Sequence, residues 1–154
     1  MKVNEIFYSL QGEGARAGEA SIFIRLAGCD LACLFCDTEF NSAAEFSNEQ
    51  VLSKIKGFQS NWIVWTGGEP TLQIDEKIVR YFSDAGYKQA IETNGNNPVP
   101  SGIDFVVVSP KVAEHVLKRN FPNGCDELRY AWHSGKEFVP NPSITAKHYY
   151  LSPI

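Results

Sequence analysis

Four short motifs, each placed directly after a predicted strand, constrain the fold of this chain more than any other feature. They are Gly28-Cys29-Asp30-Leu31-Ala32-Cys33-Leu34-Phe35-Cys36-Asp37-Thr38, Thr66-Gly67-Gly68-Glu69-Pro70, Glu92-Thr93-Asn94-Gly95 and Ser109-Pro110-Lys111. The strands before them are legible from hydrophobic patterning. Ala20 to Leu26 alternates, with Ala20, Ile22, Ile24 and Leu26 on one face and Ser21, Phe23 and Arg25 on the other. Trp62 to Thr66, Lys88 to Glu92 and Asp104 to Val108 read as further strands. In parallel α/β folds sites are built at the carboxyl ends of the strands. Four motifs at one such edge predict a single composite site.

The intervening segments agree. Ser47-Asn48-Glu49-Gln50 is a capping box, and Val51, Leu52, Ile55 and Phe58 follow at helical spacing. A second helix is predicted over Leu72 to Ala85, with Gly86 closing it. The segment from Asn96 to Gly102 is too short for a full crossover helix, and a modest helix is predicted over Val112 to Arg119. Residues 1–8 predict a first strand, and Glu127 to Trp132 and Lys147 to Leu151 two last ones. The alternation of strands and helices predicts a mostly parallel α/β sheet. There are too few strands for a closed eight-stranded barrel, so the expected fold class is an open partial (β/α) barrel.

A length of 154 residues suits one domain, long enough to bury roughly two thirds of its unfolded surface. The net charge of −4 gives no broad basic field, so direct nucleic-acid binding has little support. No apolar run approaches a membrane span, and the first residues lack the regions of a signal peptide. Three of the four cysteines crowd into one loop, which favours metal binding in a reducing cytoplasm over disulfides.

Cys29, Cys33 and Cys36 form a C-x3-C-x2-C spacing. Closed zinc and iron–sulfur sites normally use four protein ligands. Three thiolates can instead hold three irons of a 4Fe–4S cluster and leave the fourth open. The competing reading is a structural zinc site completed by Cys125 or by His115, His133 or His148, none of which lies near the triad in sequence. Gly67-Gly68-Glu69-Pro70 is either a tight turn or a place where backbone approaches a ligand, with Glu69 as an acceptor for an ammonium group.

The cysteine loop followed by GGEP resembles the radical S-adenosylmethionine superfamily. That resemblance implies a shortened form of the family's core, with S-adenosylmethionine chelated at the open iron. It implies that Gly67, Gly68, Glu69 and Pro70 cradle the methionine moiety. Phe35, Glu92, Thr93, Asn94, Ser109 and Lys111 would line the rest of the cofactor site. With Ser9-Leu10-Gln11-Gly12-Glu13-Gly14, Arg25-Leu26-Ala27-Gly28-Cys29 and Cys36-Asp37-Thr38 added in order, residues 5–132 resemble the 7-carboxy-7-deazaguanine synthase family. Members rearrange 6-carboxy-5,6,7,8-tetrahydropterin to 7-carboxy-7-deazaguanine with loss of ammonia, in queuosine biosynthesis. The resemblance implies Thr38 as the side chain on Mg²⁺, and Leu10, Gln11, Gly12, Glu13, Arg25 and Thr66 as substrate contacts. On position alone Arg25 serves equally well in a surface ion pair, and Thr38 as a loop cap.

The resemblance further implies a homodimer and a flavodoxin or ferredoxin as electron donor. Residues 1–154 read as a single domain of this family that lacks its usual C-terminal segment. Two other readings stand beside it: a glycyl-radical-enzyme activase, which has no evident need for the SLQGEG, CDT and SPK motifs, and a non-catalytic metal-binding module.

Overall fold

The computed structural model describes residues 1–34, 36, 42–132, 135 and 141–153. Eight strands form one sheet: β1 (Lys2–Leu10), β2 (Ala20–Leu26), β3 (Ala44–Glu45), β4 (Trp62–Gly67), β5 (Lys88–Thr93), β6 (Phe105–Val108), β7 (Cys125–Trp132) and β8 (Ala146–Pro153). Their spatial order is β3-β1-β2-β4-β5-β6-β7-β8. From β2 to β8 every neighbouring pair is parallel, whereas β1 runs antiparallel to both β2 and β3. The sheet is open, with β3 and β8 at its edges, in agreement with the expected partial barrel.

Among the described residues three α-helices, α1 (Asn48–Ile55), α2 (Glu76–Asp84) and α3 (Glu114–Asn120), accompany the sheet. Both bonds of the predicted capping box are present at α1: Ser47 Oγ accepts from Gln50 N–H, and Ser47 N–H donates to Gln50 Oε1. Most element boundaries differ from the sequence reading by one or two residues, and three differences are larger. β1 continues to Leu10, because it pairs with β2 as far as Leu10 opposite Ala20. The predicted helix over Leu72 to Ala85 is split. Pro70–Leu72 forms a single 3-10 turn, and α2 starts only where the Asp75 carboxylate accepts from Ile78 N–H. The two-residue β3 carries no sequence signal of its own.

The alternation in β2 separates two faces. Ile22, Ile24 and Leu26 join Ile63, Trp65 and Ile91 of the neighbouring strands, and Val51, Ile55, Val79 and Phe82 of α1 and α2 cover them. Val108 and Leu128 pack with Leu117, Phe121 and Ile144 in a second cluster. Gln89 is buried among the helices but fully engaged, accepting from Trp65 Nε1–H and donating to Val79 O and Ser83 Oγ. On the other face Phe23, Val64 and Ala90 form the floor. The next residues along these strands on that face, toward their carboxyl ends, are Arg25, Thr66 and Glu92. Apolar packing thus stops one residue pair below the edge, and a polar row replaces it.

Candidate active site

The polar row is fixed by strand register. Arg25 lies opposite Thr66, Glu92 opposite Val107, and Val107 opposite Glu127. Thr66 Oγ1 donates to Glu92 Oε2 at 3.3 Å and links the two halves. Above this row is a cavity of about 330 Å³. Of the residues singled out in the sequence, Glu13, Cys29, Cys33, Cys36, Gly67, Gly68, Glu92, Thr93, Asn94, Ser109 and Lys111 line it. All four strand-end motifs therefore meet at one site. Leu31, Val107 of β6, Arg129 and Ala131 of β7, and Ser152 and Pro153 of β8 complete the lining without having been expected there.

The two glycines of Gly67-Gly68 have a structural reason of their own. Gly67 has φ +122°, and a Cβ on it would fall 2.2 Å from Leu26 O; a Cβ on Gly68 would fall 1.9 Å from Gly28 O. Gly68 N–H donates to Leu26 O, and Glu69 N–H to Gly28 O at 2.8 Å. Side chains are excluded because the strand end lies against the root of the cysteine loop, so the glycines place Cys29 relative to β4. Glu69 is likewise 0% exposed. Its Oε1 accepts from Thr71 N–H, Thr71 Oγ1–H and Thr93 Oγ1–H, and its Oε2 from Asn94 N–H. Burial pushes its pKa up, opposed by the donors from Thr71, Asn94 and Thr93. Its carboxylate joins the GGEP and ETNG loops from beneath, which leaves backbone as what the GGEP motif offers to a ligand.

A second joint ties the cysteine loop to the ETNG loop. Asp30 Oδ1 accepts from Asn94 Nδ2, and Oδ2 from the side-chain amides of Asn96 and Asn97, at 2.8–2.9 Å. Burial alone would raise the Asp30 pKa, but these three donors lower it below the ordinary carboxylate value. Asn94 Nδ2 also lies 4.0 Å from Cys29 Sγ, and burial raises the Cys29 thiol pKa. The sequence reading did not single out Asp30, Asn96 or Asn97, although two further asparagines directly after ETNG are a visible signal.

Gln11 lies outside the lining, nearly buried, and donates from Nε2 to Glu92 Oε1 at 3.0 Å. Lys111 Nζ donates to Ser109 Oγ at 2.7 Å. Arg25 does not line the cavity. Its Nε lies 3.4 Å from Glu5 Oε2 on β1, with the Arg25 side chain 28% exposed. This is the surface ion pair that position alone allowed. Leu10, at 61% exposure, also lies outside the lining, as do Gly12, Thr66 and the buried Pro70. Phe35 and Thr38 lie outside the described residues.

The three cysteines share one cavity wall. Cys29, Cys33 and Cys36 line one cavity, yet among the described residues no three His, Cys, Asp or Glu side chains converge tightly enough to hold one metal ion. Cys125 is no fourth ligand. It stands at the start of β7, the opposite end of the strands, and lines a separate open cleft of about 400 Å³ with Asp126 and Lys147.

The sequence matches the profile of the Radical SAM superfamily over residues 23–148. It is 36% identical over 152 residues to a 7-carboxy-7-deazaguanine synthase of Bacteroides thetaiotaomicron, covering 99% of this chain and 81% of that protein. It is 42% identical to the synthase of Haemophilus influenzae, over 97% of this chain and 73% of the relative. The chain belongs to the 7-carboxy-7-deazaguanine synthase family of the radical SAM superfamily. Its fold agrees: the crystal structure of QueE from Escherichia coli superposes with a TM-score of 0.71 at 28% identity, covering 84% of this chain and 69% of that one. Membership in the radical SAM superfamily implies a 4Fe–4S cluster and S-adenosylmethionine, and the cysteine-lined cavity is where this chain has room for them.

Proposed function

We propose that the chain is a carbon–nitrogen lyase that converts 6-carboxy-5,6,7,8-tetrahydropterin to 7-carboxy-7-deazaguanine and ammonia. The observation that carries this reading is the single cavity lined by three cysteines together with Glu13 and Glu92, with Gln11 and Thr66 hydrogen-bonded to Glu92 behind that lining. When bound, the cluster with S-adenosylmethionine supplies a carbon-centred radical that removes a hydrogen atom from the substrate. The conversion is redox-neutral, since the atoms lost are those of ammonia.

The chain's own residues bind, orient and exclude water. Cys29, Cys33 and Cys36 would hold the cluster. The backbone of Gly67 and Gly68, with Asn94, Ser109 and Lys111, would take the polar ends of the cofactor. Glu69 and Pro70 support that cradle from below. Gln11 and Glu13 present amide and carboxylate groups to a pterin edge. The Arg25–Glu5 pair is long and partly exposed, so exchanging Glu5 for a substrate carboxylate costs little. Thr38 is assigned to Mg²⁺; a single hydroxyl requires substrate oxygens and water to complete an octahedron. Residues 1–154 are read as one domain, and the additional length of the relatives as a further wall for the substrate.

The reading also includes a homodimer and a flavodoxin or ferredoxin as electron donor. Four cysteines without a disulfide suit a reducing cytoplasm, and among the described residues no helix is long and apolar enough to cross a membrane. The deciding experiment is anaerobic reconstitution with iron and sulfide. Reduction in the presence of S-adenosylmethionine, Mg²⁺ and the carboxytetrahydropterin then follows, with products identified by mass spectrometry. The expected product is the carboxydeazaguanine. Cofactor cleavage without it overturns the substrate, and a reduced cluster that leaves the cofactor intact overturns the enzyme.

A further inference from the structure

Glu127 and Arg129 belong to none of the strand-end motifs, yet they are the most enclosed ion pair at the cavity. Glu127 is 0% exposed and Arg129 7%. Arg129 Nε donates to Glu127 Oε1 at 2.7 Å, and its Nη1 reaches Glu13 Oε2 at 3.0 Å and Glu92 Oε1 at 3.3 Å. One guanidinium thus gathers three carboxylates from three separate parts of the chain. The other oxygen of Glu127 accepts from Ala15 N–H at 2.8 Å. Gly14 packs so closely on this carboxylate that a Cβ would fall 2.2 Å from Glu127 Oε1. The SLQGEG loop is therefore seated on β7 through Glu127.

Gln11 shows what this seat achieves. Its Oε1 accepts from Glu13 N–H at 3.2 Å, and its Nε2 donates to Glu92 Oε1 at 3.0 Å. Both residues that set the amide's orientation are held by the same Arg129 nitrogen. An amide has an accepting and a donating end, and reversing it inverts the pattern shown to a ligand. We propose that Arg129, anchored by Glu127, is a positioning residue that fixes Gln11, Glu13 and Glu92 in one hydrogen-bonding arrangement toward the substrate. The inference rests on the synthase reading and deepens it: orientation on the substrate side is set from β7, which none of the recognised motifs includes. Because Arg129 acts through these three side chains, its loss weakens productive substrate binding more than cofactor cleavage.

The test uses the reconstituted full chain carrying Arg129→Lys, Arg129→Ala, or the double change Glu127→Gln with Arg129→Gln. The double change removes both buried charges together and avoids leaving an unpaired carboxylate. Unfolding midpoint and iron content establish folding and loading. The informative quantities are KM for the carboxytetrahydropterin and product formed per 5′-deoxyadenosine. The expected result is a rise in KM of about tenfold or more, and a fall of about fivefold or more in product per deoxyadenosine. Added guanidinium ion should restore part of this coupling in Arg129→Ala and do nothing for the unaltered protein. Loaded variants with unchanged KM and coupling overturn the proposal. So does a parallel loss of cofactor cleavage and product, or failure of all three variants to fold. Unaltered protein that makes no deazaguanine fails the synthase reading itself, whereas active unaltered protein with insensitive variants fails only Arg129.

Discussion

Glu69 has four protein donors on its two oxygens and is 0% exposed, so a neutral isostere is not equivalent. Glu69→Gln must turn an NH₂ either toward Thr71 and Thr93 or toward Asn94 N–H, setting donor against donor. The expected cost is about 1–3 kcal/mol in urea unfolding, together with weaker S-adenosylmethionine binding; unchanged stability would show that the carboxylate is not the joint described. Cys125 is the opposite case. Burial pushes its thiol up to about 12, with the Asp126 charge adding to the effect. At pH 8 its thiolate fraction is negligible. Brief iodoacetamide treatment of the folded, cluster-free protein should leave Cys125 unmodified while Cys36, which is exposed, is labelled. Peptide mapping reads the outcome directly, and rapid Cys125 labelling would contradict this burial. Both residues were visible in the sequence, but burial decides their roles, and burial depends on contacts distant along the chain.

At the scale of elements, what local pattern controls was legible and what register controls was not. The alternation in β2 and the capping box of α1 involve neighbours in sequence, and both appear as read. The convergence of the four motifs followed from the parallel order of β2, β4, β5 and β6. Gly67-Gly68 was legible as a special backbone site, but its close packing on Leu26 and Gly28 was not, because those residues lie about forty positions away in sequence. Arg129 left a trace that sequence reading can use: Glu127 and Arg129 stand two apart in a strand with buried neighbours, so both charges face the same way. Their partners depend on β7 lying beside β6 and on the loop around Gly14, which no local pattern encodes. The close approach at Gly68 carries its own prediction. Gly68→Ala must displace Gly28 and with it Cys29, at about 1–3 kcal/mol for an overpacked contact. Its unfolding midpoint should fall by about 2–4 °C for each kcal/mol, and iron retained after reconstitution should fall with it. Normal iron content in a destabilised variant would separate the strand end from the cluster loop.

At the scale of the whole molecule, the cavity draws its walls from most of the sheet. The cysteine loop follows β2, and further walls come from β4, β5, β6, β7 and β8. A ligand held there bridges one half of the sheet to the other, so its binding energy opposes global unfolding and not merely the opening of one loop. The proposed chelation at an open iron makes this effect conditional. S-adenosylmethionine at a hundredfold excess over its Kd adds about 2.7 kcal/mol to a protein that binds it only when folded. For a domain of this size that is a rise of about 5–10 °C in Tm. Anaerobic thermal scans should show this shift in the cluster-loaded protein, as a displacement of the entire transition. After iron is removed with a chelator, the same concentration should give a much smaller shift, because the amino and carboxylate groups of the cofactor have lost their metal partner. An equal shift with and without iron would place the cofactor's main contacts on the polypeptide alone. A shift confined to a minor early transition would mean that the cavity belongs to one local unit instead of the sheet as a whole.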